Sequence, residues 1–292
     1  MMKVKVWTAL LGVAWATGLW ANPVAVEKIW PEGKTPDLQK HQSVPEIEWW
    51  VPEKKTSRAC LIVAPGGGYG GICYPHEGAL VASNFCSRGV TVVVLKYRVP
   101  RPAQTIPFYR TAWQDAQRTV RIVRSRATKY GFDADKVGMT GFSAGGHLTL
   151  MAATSSLTPA YAPVDALDKT PCNLNFAIPV YPAYVLDGGK GRGAEEGVRM
   201  VGDFAFDAAT PSMCLIHGDD DPHSALGSVR VYEKLRAMKL KAELHVLASV
   251  NHGFGGTLKN RPNWTHCGWE LVVCRFLAKL KVMPFAPIYA WN

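Results

Sequence analysis

The string Gly141-Phe142-Ser143-Ala144-Gly145, with Gly146 behind it, falls where a β-rich apolar run gives way to a helical pattern. A serine hydroxyl is a poor nucleophile. It becomes a good one when a tight strand-to-helix turn lifts it out of a sheet and a base takes its proton. Bulky neighbours two positions away would collide in such a turn, and Gly141 and Gly145 remove them. The new helix also aims its free N–H groups and positive dipole end at the reacting centre, so the N–H of Ala144 is expected to donate to a developing oxyanion. The chemistry implied is acyl transfer through a covalent Ser143 intermediate. Gly-x-Ser-x-Gly by itself arises by chance in a glycine-rich chain; its position between strand and helix is what gives it weight.

Three further clusters fall at the ends of apolar runs. Pro65-Gly66-Gly67-Gly68-Tyr69-Gly70-Gly71 lacks the Lys-Ser/Thr ending of a phosphate loop. Its consecutive glycines let the main chain turn N–H groups toward an oxyanion, and Gly67 and Gly68 are the expected donors. His217-Gly218-Asp219-Asp220-Asp221-Pro222 offers adjacent carboxylates that cannot all orient one imidazole. Composition alone leaves Asp220 and Asp221 both open, and the loop offers too few oxygens for calcium. In the chain order Ser, Asp, His the base lies beyond the acid, which selects His252 in the glycine-bearing loop Val250-Asn251-His252-Gly253-Phe254-Gly255. His245 lies inside a strand, His266 begins the last helix, and His147 on the serine's own helix reads as a packing residue.

The elements that must position these groups are legible as an alternation. Strands are expected over 59–64, 90–97, 136–141, 176–181, 212–217 and 243–247, and helices over 77–88, 110–130, 144–155, 225–238 and 264–281. Most of the strands lack strict alternation, as strands covered on both faces do, so the fold class is α/β with a mostly parallel central sheet flanked by helices on both faces. The stretch 157–210, broken by Pro and Gly apart from one strand, is expected to form rim or lid. Residues 22–58 read as an N-terminal extension with an edge strand, and 59–292 as one catalytic domain.

With these residues placed, the chain resembles the acetyl xylan esterase-like and hormone-sensitive-lipase-related α/β-hydrolases of bacteria over about residues 59–281. Beyond the serine, aspartate and histidine, the likeness includes Tyr69, His76-Glu77-Gly78, Lys96-Tyr97-Arg98, Asp115 and Phe132-Asp133. The resemblance implies Asp221 as the acid, from its place relative to His217-Gly218, and implies hydrolysis of a small acyl ester, acetyl on xylan or a related glycan, without a cofactor or metal. Pro65 stands where the family's usual His-Gly-Gly-Gly begins with His, a departure of little weight if backbone groups do the work. Tyr69, inside the oxyanion loop, is the expected sugar-stacking residue; Trp264 and Trp269 read first as core. Asp115, Arg98 and Glu77 read as structural ion-pair candidates.

Composition narrows the alternatives. A hydrophobic content of 48% with 19% charged residues is that of a globular chain able to bury a sizeable core. The net charge of +10 is spread along the chain, and its densest group, Arg118, Arg121, Arg124 and Arg126, reads as a solvated helix face rather than a nucleic-acid surface. Lys3 and Lys5, the apolar stretch 6–20 and the small residues before Asn22 have the layout of a signal peptide cleaved after Ala21. The stretch falls short of the roughly 20 apolar residues of an anchor. A secreted or periplasmic protein without stable membrane insertion is expected. Seven cysteines, an odd number, leave at least one free or paired with another chain. Rival readings are a peptidase or amidase of the prolyl-oligopeptidase branch, a general short-chain esterase or lipase, and an inactive glycan-binding module on the same fold.

Overall fold

The computed structural model describes residues 22–188, 197–256 and 268–284. Residues 1–21, where a signal peptide is expected, and Trp264, His266 and Cys267 lie outside them. Eight strands form one sheet in the order β1-β2-β4-β3-β5-β6-β7-β8. They are β1 (Ala25–Lys28), β2 (Glu46–Trp50), β3 (Cys60–Ala64), β4 (Thr91–Lys96), β5 (Val137–Phe142), β6 (Phe176–Val180), β7 (Ser212–Gly218) and β8 (Ala242–Leu247). The pairs β1·β2 and β2·β4 are antiparallel, and the rest of the sheet is parallel. All six expected strands are present within a residue or two. Parallel strands need crossovers, so every reactive loop leaves the same carboxyl edge of the sheet, where ligands of such sheets bind.

Alternate residues of each strand serve two cores. On β3, Ile62 and Ala64 pack with α2 (Arg110–Ser125), α4 (Ala144–Thr154) and α5 (Leu226–Ala237), while Leu61 and Val63 pack with α1 (Leu80–Ser87) and α6 (Trp269–Lys279). Every residue of α4 is buried, as befits a helix apolar all round. The expected helix over 77–88 is a π-helical turn, Tyr74–Ala79, running into α1, and the one expected over 110–130 breaks at Arg126 into α2 and the short α3 (Ala127–Tyr130). No helix among the described residues is long and apolar enough to cross a membrane.

Residues 22–58 contribute two strands to the sheet, β1 at its edge and β2 between β1 and β4. Trp49 is fully buried and stacks on Tyr130 at 4.0 Å between ring centroids. A buried ion pair secures this segment. Arg98 reaches Asp115 at 2.9 Å and spends its remaining donors on Pro36 O, Thr111 O and Gln114 Oε1, while Trp30 Nε1 donates to Asp115 at 2.7 Å. Polar atoms this deep are tolerated because each has a partner.

The arginine row on α2 is not the solvated face expected. Arg118 forks onto Asp165 and Asp168 at 2.6 and 3.0 Å, Arg121 donates to Thr170 O, Arg124 to Asn173 O, and Arg126 pairs with Glu27. Periodicity marked a polar face, but the chain that covers it comes from 165–173 and from β1, distant in sequence. The six described cysteines are free thiols, most of them buried.

His147, in the middle of α4, is completely buried and its Nδ1 meets the hydroxyl of Tyr69 at 2.9 Å, which supports the packing role expected of it. Burial pushes its imidazole down to about 3, against about 6.5 in an unfolded chain. Between those values the unfolded chain binds a proton that the folded one refuses, so stability is lost as pH falls through that window. His147→Gln is expected to flatten the dependence of urea-unfolding free energy on pH between about 6.5 and 3; an unchanged slope would mean the imidazole takes no part in acid sensitivity.

Candidate active site

Ser143 ends the β5 run at φ 54° and ψ −118°, a conformation an L-residue adopts only under compulsion. The compulsion comes from its neighbours. A Cβ on Gly145 would lie 2.0 Å from Ala64 O and 2.6 Å from Pro65 O, and one on Gly141 would lie 2.1 Å from Gly145 O. Only glycine at these two positions lets the first turn of α4 close against the end of β3.

The structure brings the three expected side chains together. Ser143 Oγ lies 2.8 Å from His252 Nε2, and His252 Nδ1 lies 2.7 and 2.9 Å from the two oxygens of Asp221. An ionised carboxylate only accepts, so Nδ1 carries the proton and Nε2 is left as acceptor for the serine hydroxyl. The Asp221 side chain is fully buried, and its Oδ1 also accepts the N–H of His223 at 2.8 Å. Asp219 and Asp220 are exposed, and of the three adjacent carboxylates it is Asp221 that meets the imidazole. A Cβ on Gly218 would sit 2.1 Å from Val250 O, so the aspartate and histidine loops leave β7 and β8 in close contact. His245 instead pairs with Glu243 at 3.1 Å.

The glycine loop lies directly over the serine: a Cβ on Gly66 would be 2.9 Å from Ser143 Cβ. Gly66 O accepts from Cys73 N at 2.9 Å, and Gly67 O accepts from Gly70 N and Gly71 N. In a trans peptide the N–H points opposite to the carbonyl it follows. The N–H groups of Gly67 and Gly68 therefore turn away from the loop's own interior. Gly68 O is gripped by Arg101, whose Nε and Nη2 donate to it at 3.0 and 2.9 Å.

Tyr69 is corrected. It is 1% exposed, with its hydroxyl spent on His147 and its ring packed beside Tyr97 and Phe108. Its backbone stands at φ 57°, and its side chain lies in the core. Trp269 is likewise buried and donates to Gly255 O at 2.9 Å. The accessible aromatic surface comes from elsewhere. A cavity of about 460 Å³ is lined by Arg101, Gln104, Phe108, Tyr184, Leu186 and Asp203 among others. Tyr184 joins it to the glycine loop through Arg101 Nη2 at 2.7 Å. None of these had a sequence signal, because they come from two separate loops. His223, whose ring lies 5.1 Å from that of His252, and Tyr181, 4.9 Å away, were missed as well; His223 lies two residues beyond Asp221, a spacing that sequence reading could have flagged.

Strain at Ser143 makes a stability prediction independent of any reaction. Ser143→Gly should relax the turn and raise the unfolding free energy, by about 1 kcal/mol or more, read as the midpoint of urea denaturation. A lower midpoint would mean that the hydroxyl's bond to His252 outweighs the backbone strain.

Residues 48–179 match the BD-FAE family model. Over 122 residues the chain is 34% identical to endo-1,4-beta-xylanase B of Butyrivibrio fibrisolvens, covering 42% of this chain and 19% of that protein. It is 28% identical over 223 residues to an acetylxylan esterase of Xylanibacter ruminicola, covering 70% of this chain and 43% of that one. The chain thus spans less than half the length of these curated relatives. In three dimensions it matches the crystal structure of an acetyl ester-xyloside bifunctional hydrolase from Caldicellulosiruptor lactoaceticus with TM-score 0.74 at 23% identity, over 91% of this chain and 100% of that one. Thermogutta terrifontis esterase 2 gives TM-score 0.70 at 19% identity, over 89% and 95%. The strand order, the serine turn between β5 and α4 and these likenesses agree on the fold: the chain has the α/β-hydrolase fold.

Proposed function

We propose that this protein is a serine carboxylic-ester hydrolase that removes small acyl groups, acetyl foremost, from xylan or a related glycan. The observation that carries the reading is the unbroken line from Asp221 through His252 to Ser143 Oγ, with contacts of 2.7 and 2.8 Å at the two ring nitrogens. In the reaction, His252 Nε2 takes the serine proton as Oγ attacks the ester carbonyl, and Asp221 stabilises the imidazolium through Nδ1–H. The N–H groups of Ala144, Gly67 and Gly68 receive the oxyanion. His252 then hands its proton to the departing alcohol, and water, activated by the same base, releases the acid and restores Ser143.

The glycan half of the proposal draws on two supports. One is the activity for which the relatives are named, a xylanase and an acetylxylan esterase. The other is the cavity beside the glycine loop, where the rings of Phe108 and Tyr184 stand among Arg101, Gln104 and Asp203; flat rings bordered by hydrogen-bonding side chains suit a sugar. Export belongs to the same proposal, since a polymeric glycan lies outside the cell.

Release of acetate from acetylated xylan, set beside hydrolysis of p-nitrophenyl acetate and butyrate, tests it with the chain from Asn22 onward. Acetate release from the polymer is expected, and Ser143→Ala should abolish it. Asp221→Asn should cost about 10³- to 10⁴-fold in kcat, whereas Asp220→Asn should leave kcat unchanged. Activity surviving Ser143→Ala would overturn the nucleophile assignment. Activity confined to the small esters would keep the esterase and refute the glycan substrate.

A further inference from the structure

Glu77 is 2% exposed, and burial lifts its carboxyl above the ordinary range, against the pull of Tyr181, the two histidines His76 and His252, and the Gly66 N–H. The ion pair that the sequence suggested is made with its neighbour His76, Nε2 to Oε1 at 3.7 Å, and among the described residues no arginine or lysine pairs with it. A buried carboxylate is costly to keep, and its two oxygens are divided between two different loops. Oε2 accepts the N–H of Gly66, in the glycine loop, at 2.7 Å. Oε1 accepts the hydroxyl of Tyr181 at 2.8 Å. The same hydroxyl oxygen accepts the N–H of Gly255, three residues beyond His252, at 2.8 Å. Next to Glu77, His76 O accepts the N–H of Gly256 at 2.7 Å.

We infer that Glu77 is a positioning residue that holds the oxyanion loop and the histidine loop in register through one chain of hydrogen bonds, Gly66–Glu77–Tyr181–Gly255. The inference rests on the esterase reading above. The geometry explains why both ends matter. With the N–H of Gly66 fixed by Glu77 and its carbonyl fixed by Cys73, the Gly66–Gly67 peptide plane is set, and with it the direction of the Gly67 N–H. At the other end, the Tyr181 ring lies edge-on to His252 at 4.9 Å and to Phe254 at 4.4 Å, so the hydroxyl anchors the surface against which the base rests. Fit is close throughout: a Cβ on Gly255 would lie 2.9 Å from Glu77 Cγ. Neither loop touches substrate through Glu77 itself; the carboxylate acts by aiming groups that do.

Steady-state kinetics on p-nitrophenyl acetate with Glu77→Gln, Tyr181→Phe and the double variant test this. A glutamine can still accept from Gly66 but presents an amide N–H₂ where Tyr181 needs an acceptor; phenylalanine keeps the ring on His252 and deletes the relay. Each single change is expected to lower kcat by about tenfold or more with KM held within about twofold, because the groups misaligned act on the transition state. The double variant should be no slower than the slower single, as members of one network behave. Wild-type kcat in both singles, losses carried by KM alone, or penalties that multiply in the double would overturn the inference. Thermal midpoints identify any variant that fails to fold; if Glu77→Gln does, Tyr181→Phe decides alone. A wild-type protein inert toward the ester would instead remove the esterase reading, and this inference with it.

Discussion

The first turn of α4 approaches the end of β3 to within a distance only a glycine allows: a Cβ at 145 would overlap the carbonyls of Ala64 and Pro65. Everything else at the site follows from that contact. It bends the backbone at Ser143 into a strained conformation, it brings the glycine loop at the end of β3 over the serine, and it aims the helix's free N–H groups at the same point. Strain of this kind persists only where the surroundings over-determine it. Here a wholly buried helix on one side and the central strands of the sheet on the other supply that rigidity.

The rest of the fold works to keep the loops at the sheet's carboxyl edge from drifting. Polar groups in the interior do much of this, since each satisfied donor fixes a direction that apolar packing would leave open. Asp115 and Arg98 bind the N-terminal segment to the β4 loop and α2. The arginine row of α2 holds the stretch before β6 through carboxylates and carbonyls. Arg101 clamps Gly68 from outside, Glu77 holds Gly66 from within, and the glycine loop is fixed between them.

Two buried carboxylates near His252 have separate tasks. Asp221 meets the imidazole directly and sets its tautomer. Glu77 reaches it only through Tyr181, and its other oxygen is committed to the opposite wall of the cleft. Aromatic rings fill the space between, with Tyr181 and His223 both against the face or edge of the base. An esterase built this way would have its base held on three sides while the fourth stays open to the acyl group.

Much of this was legible in the residues alone. Strand and helix periods located the parallel strands and most of the helices, because burial on both faces leaves a direct trace in the order of apolar residues. The Ser143 turn and the glycine loop were legible for a related reason: their function depends on backbone conformations that only glycine permits, so the requirement is spelled out locally. His252 could be chosen by order along the chain. What tertiary structure decided was every pairing between distant segments. Asp220 and Asp221 are alike in composition, and only the closeness of the β7 and β8 loops turns Asp221 to the histidine. Tyr69 sits in the glycine loop, yet its side chain packs into the core against His147, while Tyr184 and Arg101 arrive at the site from loops with no motif. Glu77 read as half of an ion pair, and its partners are His76, one backbone amide and a tyrosine whose hydroxyl in turn accepts a second amide. Local geometry is written in residue type, whereas the direction of a side chain depends on neighbours that the chain order does not place beside it.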